Sequence, residues 1–223
     1  MARAVAASAR PGPVLFLGHG ASGSAASMTP HVDGLRARGI DARAVALPKG
    51  RAERAISVFA ALLAADGDAA IADVAGYAAP ADGPAVRPVG PGDSGPIAVG
   101  GHSFGGRVAS LAAADACDAE RPPLALVLLS YPLHPPGRPD DWDARTSHWP
   151  RLTCPVILLS GSSDPFANPA LLAQALAERL PTADLVTYPR LRHSLAPALE
   201  DVLDRVAAFV RGGAALHGRV NGG

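Results

Sequence analysis

The chain has 223 residues, 48% apolar and 18% charged, with 20 basic side chains against 20 acidic ones. That length buries one substantial core, and the cancelled charge argues against a nucleic-acid surface or a face drawn to anionic membranes. No uninterrupted apolar stretch approaches the roughly 18 residues that a membrane-spanning helix needs, so none is expected.

In chain order, residues 1–12 carry Arg3 and Arg10 among alanines without a continuous apolar stretch, and read as a flexible leader rather than a secretory signal. Val14 to Leu17 is a short apolar strand running into Gly18-His19-Gly20. A helix is predicted over Thr29 to Arg38, with Gly39 as its stop, and Ile40 to Leu47 alternates as a second strand closed by Pro48. Arg51 to Ala65 reads as an amphipathic helix with Ile56, Phe59, Ala60 and Leu63 on one face. Residues 78–96 are rich in proline and glycine and read as a surface loop. Pro96 to Gly100 is apolar and strand-like, Gly106 to Ala114 reads as a helix, and Leu124 to Leu129 is a continuous apolar strand.

Val156 to Leu159 is a further strand, ending at Ser160-Gly161. Asn168 is placed to cap a helix over Pro169 to Leu180. Ala183 to Thr187 makes a last strand, Leu195 to Val210 a last helix, and the glycine-rich residues 211–223 a frayed tail. Uniformly apolar strands separated by helices predict an α/β protein. Its sheet would be mostly parallel and covered by helices on both faces, in a single domain over residues 13–210.

Between the strand at 96–100 and the helix at 106–114 lies Gly101-His102-Ser103-Phe104-Gly105. A serine on a tight strand-to-helix turn is held with its hydroxyl exposed, which is how a nucleophile is presented. The hydroxyl needs a base, and the base needs an orienting acid. Asp164 follows the 156–159 strand and His193 follows the 183–187 strand. Both therefore sit beyond the carboxyl ends of strands, where open α/β sheets bind ligands. The order Ser103, Asp164, His193 assigns nucleophile, acid and base. The developing oxyanion needs backbone donors, expected from Phe104 N–H and, in the loop after the first strand, Ala21 N–H.

Asp140 and Asp141 compete for the role of acid but sit in a segment that reads as solvated. His19 is expected to orient the oxyanion loop and His102 to pack beside the turn. His134 either borders the pocket or braces its own turn. Together with Gly20 and Phe166, these three histidines form the candidate substrate-contacting set. His31, His148 and His217 read as surface residues, and Trp142 and Trp149 pack under a loop or line an apolar pocket. No spacing among the histidines suggests a metal, and no organic cofactor is implied. Cys117 and Cys154 lack C-x-x-C spacing and read as small buried residues of a reducing, cytoplasmic compartment. Residues 131–155 are too few for a helical lid, so the site is expected to be open and to favour a small-molecule acyl substrate over long lipids.

Beyond the serine motif, Tyr131-Pro132-Leu133-His134-Pro135-Pro136-Gly137 followed by Ser160-Gly161-Ser162-Ser163-Asp164-Pro165-Phe166 is similar to a known family. Over residues 13–210 the chain resembles the α/β-hydrolases, in particular the small dienelactone-hydrolase-like group. Closer still is the family that includes subunit 3 of the chromatin NSL complex and its bacterial relatives. The resemblance implies an α/β-hydrolase fold without a large lid and a triad at Ser103, Asp164 and His193. The members of that family have no settled substrate; the serine motif and its partners predict a serine hydrolase acting on a carboxylic ester or thioester through an acyl-enzyme. The alternative is a non-catalytic scaffold of the same fold acting as a binding or assembly module, against which an intact triad argues.

Overall fold

A computed structural model describes residues 12–48, 50–64 and 95–220, without the side chains of 215–220. The expectations for residues 1–11, 78–94 and 221–223 and for the His217 side chain lie outside the described residues. Six strands form one sheet: β1 (Val14–Gly18), β2 (Asp41–Val45), β3 (Ile97–His102), β4 (Leu126–Leu129), β5 (Val156–Gly161) and β6 (Asp184–Tyr188). Their spatial order is β2-β1-β3-β4-β5-β6, and every neighbouring pair is parallel.

The helices are α1 (Thr29–Ala37), α2 (Ala52–Ala64), α3 (Phe104–Asp118), the short α4 (Trp142–Thr146), α5 (Pro169–Arg179) and α6 (Leu199–Val220). Side chains alternate between two cores on opposite faces of the sheet. Phe16, Val99, Leu126, Leu128 and Leu158 pack with Phe59 of α2, Val108 and Ala112 of α3 and Leu172 of α5. Their strand neighbours Leu17, Ala98, Val127, Leu129 and Leu159 pack with Val32 of α1 and Val202 and Val206 of α6. Because both faces are covered, the inner strands need apolar residues at consecutive positions, which is why they read as unbroken runs.

Local signals act as expected at several boundaries. Gly39 takes φ 77° just past α1, and Asn168 Oδ1 accepts the N–H groups of Ala170 and Leu171 at 3.0 and 3.2 Å. The last helix differs from expectation: a 3-10 turn (Ala196–Ala198) precedes it, and it continues past Val210 to Val220. The extension has tertiary support. Arg211 Nη1 donates to Arg38 O at 2.7 Å, and Gly213 lies against Leu124. Residues 131–155 hold only two 3-10 turns and α4, and no lid domain occurs among the described residues. No helix among them is long and apolar enough to cross a membrane.

Chain order places one crevice. β1 has β2 on one side and β3 on the other, so the chain reverses direction across the sheet there, and the loops leaving β1 and β3 diverge. Gly18 pairs with Gly101 at that edge. The loop carrying Ala21 and the turn carrying Ser103 are thereby neighbours.

Candidate active site

Ser103 joins β3 to α3 with φ 52° and ψ −116°, a region that costs a non-glycine residue about 1–3 kcal/mol. Its surroundings hold it there. Ser103 N–H donates to Leu129 O at 2.8 Å, and Arg107 N–H donates to Ser103 O at 3.0 Å. Glycine at 105 lets the first turn of α3 rest on β1, since a Cβ there would come 2.9 Å from Gly18 Cα and still closer to Gly18 C and O.

The loops after β5 and β6 deliver the other two candidates. Ser162 N–H donates to Tyr188 O at 2.9 Å and Ser163 N–H to Leu191 O at 2.8 Å, locking one loop to the other. Gly161 permits this approach, because a Cβ there would overlap the Leu191 and Arg192 carbonyls. His193 Nε2 then lies 2.9 Å from Ser103 Oγ, and His193 Nδ1 lies 2.8 and 3.0 Å from Asp164 Oδ2 and Oδ1. The Asp164 side chain is fully buried (0% exposed) while His193 remains 24% exposed. Phe166 N–H donates to Asp164 Oδ1 at 2.9 Å. A buried carboxylate accepts only, so the proton sits on His193 Nδ1, and Nε2 is left as an acceptor facing the serine hydroxyl. Asp141 instead pairs with Arg138 at 3.1 Å, and Asp140 is exposed.

His102 does more than pack beside the turn. Its Nε2–H donates to His193 O at 3.0 Å, with the two rings 5.0 Å apart. Burial holds its imidazole below the ordinary histidine range, although the bond to His193 O pulls the other way. A neutral ring is therefore the donor. Phe166 closes the opposite side, its ring 4.5 Å from that of His193.

On the other side of Ser103, His19 is buried and uses both ring nitrogens: Nδ1–H donates to Gly20 O at 2.8 Å and Nε2 accepts Leu47 N–H at 3.0 Å. Gly23 N–H donates to the same Gly20 carbonyl at 3.0 Å. Pinning that carbonyl aims the Ala21 N–H of the same trans peptide the opposite way. Among the described residues, neither Ala21 N–H nor Phe104 N–H has a hydrogen-bond partner. Both residues line a cavity of about 290 Å³ together with His19, Leu47, Pro48, Gly50, Arg51 and Ala52. The sequence reading missed Leu47, Arg51 and Ala52, which only the fold brings beside Phe104.

At three residues the structure takes the bracing or packing alternative. His134 is buried with both nitrogens engaged: Nδ1–H donates to Pro135 O at 2.9 Å and Nε2 accepts Asn168 N–H at 3.2 Å. It braces two loops, leaving no ring nitrogen for a ligand. Trp149 is fully buried against Tyr131, and Trp142 packs under the Arg179 guanidinium at 4.8 Å.

His148 and His31 are not ordinary surface residues. His148 Nε2–H donates to Ser110 Oγ at 2.8 Å, and burial followed by the Arg107 and Arg151 charges lowers its pKa to about 4. Burial and then His102 lower His31 to about 4 as well. An unfolded histidine titrates near 6.5, so between pH 6.5 and 4 the unfolded chain binds protons that the folded chain refuses. Stability therefore falls with pH through that window. Urea melts at pH 4.5 are expected to show each histidine costing roughly 2 kcal/mol relative to pH 7. His148→Gln, which keeps the donor and cannot titrate, should flatten the decline, and equal stability at both pH values would contradict the argument.

Among the described residues no group of three or more His, Cys, Asp or Glu side chains is placed to hold a metal. Cys117 and Cys154 are both buried free thiols.

Residues 84–211 match the family described as an alpha/beta hydrolase domain. No curated protein matches the sequence. Among solved structures, the chain is similar to the thermostable carboxylesterase EstE1 from a metagenomic library, with TM-score 0.65, 17% identity, and 92% of this chain and 81% of that one covered. It is similar to the Paleococcus ferrophilus monoacylglycerol lipase, with TM-score 0.62, 13% identity and coverage of 92% and 94%. It is also similar to the type II thioesterase BorB from the borrelidin biosynthetic cluster, with TM-score 0.57, 22% identity and coverage of 90% and 92%. At these identities the likeness is one of fold.

Proposed function

Because this chain belongs to the alpha/beta hydrolase domain family, we propose that it is a serine hydrolase cleaving an ester-type bond, a carboxylic ester or thioester, through an acyl-enzyme on Ser103. The observation that carries this reading is the unbroken path from Ser103 Oγ to His193 Nε2 at 2.9 Å and from His193 Nδ1 to Asp164 Oδ2 at 2.8 Å. Ser103 Oγ attacks the carbonyl carbon as His193 Nε2 takes its proton, and Asp164 stabilises the imidazolium through Nδ1–H. The carbonyl π electrons move onto oxygen, which the Ala21 and Phe104 N–H groups bind. Collapse expels the alcohol or thiol, which takes the proton from His193. Water repeats the sequence on the acyl-enzyme, releasing the acid and restoring Ser103. Similarity in fold to a carboxylesterase, a lipase and a thioesterase supports this class of bond. Within the family, the 131–137 and 160–166 segments favour the dienelactone-hydrolase-like group and the relatives of NSL-complex subunit 3.

Intact-mass detection of fluorophosphonate labelling tests the proposal without a known substrate. The native chain is expected to gain one adduct and Ser103→Ala none. A folded native chain that gains no adduct would reject the hydrolase in favour of a scaffold.

The His102 bond makes a separate prediction. A glutamine amide nitrogen reaches about where Nε2 lies, whereas an asparagine nitrogen stops near Nδ1. His102→Gln should label within about threefold of the native rate, and His102→Asn about 10–100-fold more slowly, the usual effect of a base displaced by about 1 Å. Equal rates for both variants would mean that the His193 loop holds its place without His102.

A further inference from the structure

The cavity beside Ser103 has features that name a substrate class, and the inference rests on the hydrolase reading above. We propose that the cavity walled by Leu47, Ala52 and Phe104 receives the acyl group, and that it selects short, uncharged acyl chains.

Position supports this assignment. The cavity opens at the crevice between the loops leaving β1 and β3, and its wall includes both Ala21 and Phe104. A carbonyl oxygen held by those two N–H groups has its carbon chain beside the cavity mouth. Chemistry supports it too. Leu47, Pro48, Ala52 and Phe104 present carbon, and His19 has spent both ring nitrogens on Gly20 O and Leu47 N–H. Among the described residues, Arg51 is the one charged member of the lining, and it is exposed. A polar or ionised acyl tail would lose its hydration there without a buried partner.

Size sets the length. A cavity of about 290 Å³ stands at the lower end of the roughly 300–1,000 Å³ typical of ligand sites. It equals about ten times the liquid volume of a water, room for an acyl chain of fewer than about ten carbons. The inner wall is solid. Gly18 abuts Leu47 and the fully buried Phe59 so closely that a Cβ on it would lie 2.9 and 3.1 Å from their side chains. Leu47 therefore has no room to retreat on that side, and the volume of the cavity bounds the chain it can enclose.

The test uses 1,1,1-trifluoro-2-alkanones of increasing chain length as reversible competitors of a small fluorophosphonate, on the full chain. Ser103 Oγ adds to the activated carbonyl, its proton passing to His193, so the alkyl chain lies on the acyl side. Protection should strengthen about fourfold per methylene, reach an optimum below ten carbons, then weaken. Ala52→Leu narrows the cavity and should move the optimum about two carbons shorter. Leu47→Ala deepens it and should move the optimum longer. Protection that climbs steadily to twelve carbons, or one optimum shared by native and both variants, overturns the assignment while leaving the hydrolase intact. Absence of any adduct on Ser103 rejects the hydrolase reading and this inference with it.

Discussion

Asp164→Asn is expected to slow fluorophosphonate labelling of Ser103, and any hydrolysis the chain performs, by about 10⁴-fold while leaving the fold intact. The reason lies in how the carboxylate is surrounded. Oδ1 accepts Phe166 N–H at 2.9 Å, so an asparagine keeps its carbonyl oxygen there and turns its amide nitrogen toward His193. That nitrogen occupies the place of Oδ2, which lies 2.8 Å from His193 Nδ1. Two donors cannot face one another, so Nδ1 must accept and the imidazole proton moves to Nε2. The nitrogen 2.9 Å from Ser103 Oγ then has no lone pair for the serine proton. In the serine-protease prototype the equivalent change of tautomer costs about 10⁴ in kcat. The measurement is a pseudo-first-order labelling rate beside a thermal melt. A loss under tenfold with an unchanged melt would remove Asp164 from the mechanism. Asp141, tied to Arg138, would not explain such retention.

Gly105→Ala is expected to cost at least about 3 kcal/mol of stability, a large share of the roughly 5–15 kcal/mol that holds a domain together. The added methyl would meet backbone rather than a movable side chain. It would lie 2.9 Å from Gly18 Cα and closer to Gly18 C and O, in a strand paired on both sides. β1 cannot shift without breaking two ladders, and α3 cannot shift without moving Ser103. Soluble Gly105→Ala should therefore both melt early and lose labelling. Gly212→Ala is the control of opposite sign, because nothing lies within 4 Å of its Cβ position and α6 is helical there. That change should stabilise by about 0.5–1 kcal/mol. A Gly105→Ala chain as stable as native would mean that α3 and β1 separate freely.

Much of the architecture was legible because its causes are local. Short continuous apolar runs such as 126–129 and 156–159, bounded by turn residues, fit strands covered on both faces, and strands they are. Gly39 at φ 77° and Asn168 at its cap mark helix ends by their own conformational preferences. The candidate residues were legible for a related reason. A serine between close glycines, and Asp164 and His193 in loops beyond strands, follow the order in which such a sheet delivers its loops.

What stayed hidden depends on residues far apart in the chain. His102 and His193 are 91 positions apart, and nothing in the Gly101–Gly105 motif says that the ring nitrogen of one holds the backbone of the other. His148, 38 positions from Ser110, looks like any exposed histidine until the fold buries it against the Ser110 hydroxyl of α3. Glycines 212 and 213 argued for a frayed end, and only packing on Leu124 and the Arg211 bond to Arg38 O carry the helix past them. The cavity is the strongest case, since Ala21, the stretch from Leu47 to Ala52, and Phe104 come from three separate segments. The chain by itself determined which elements form and which residues could do chemistry, because propensity, capping and apolar runs act over a few neighbours. The tertiary structure alone decided which of those residues meet, how the described histidines are buried and bonded, and which segments wall the cavity beside Ser103, because those depend on contacts between distant segments.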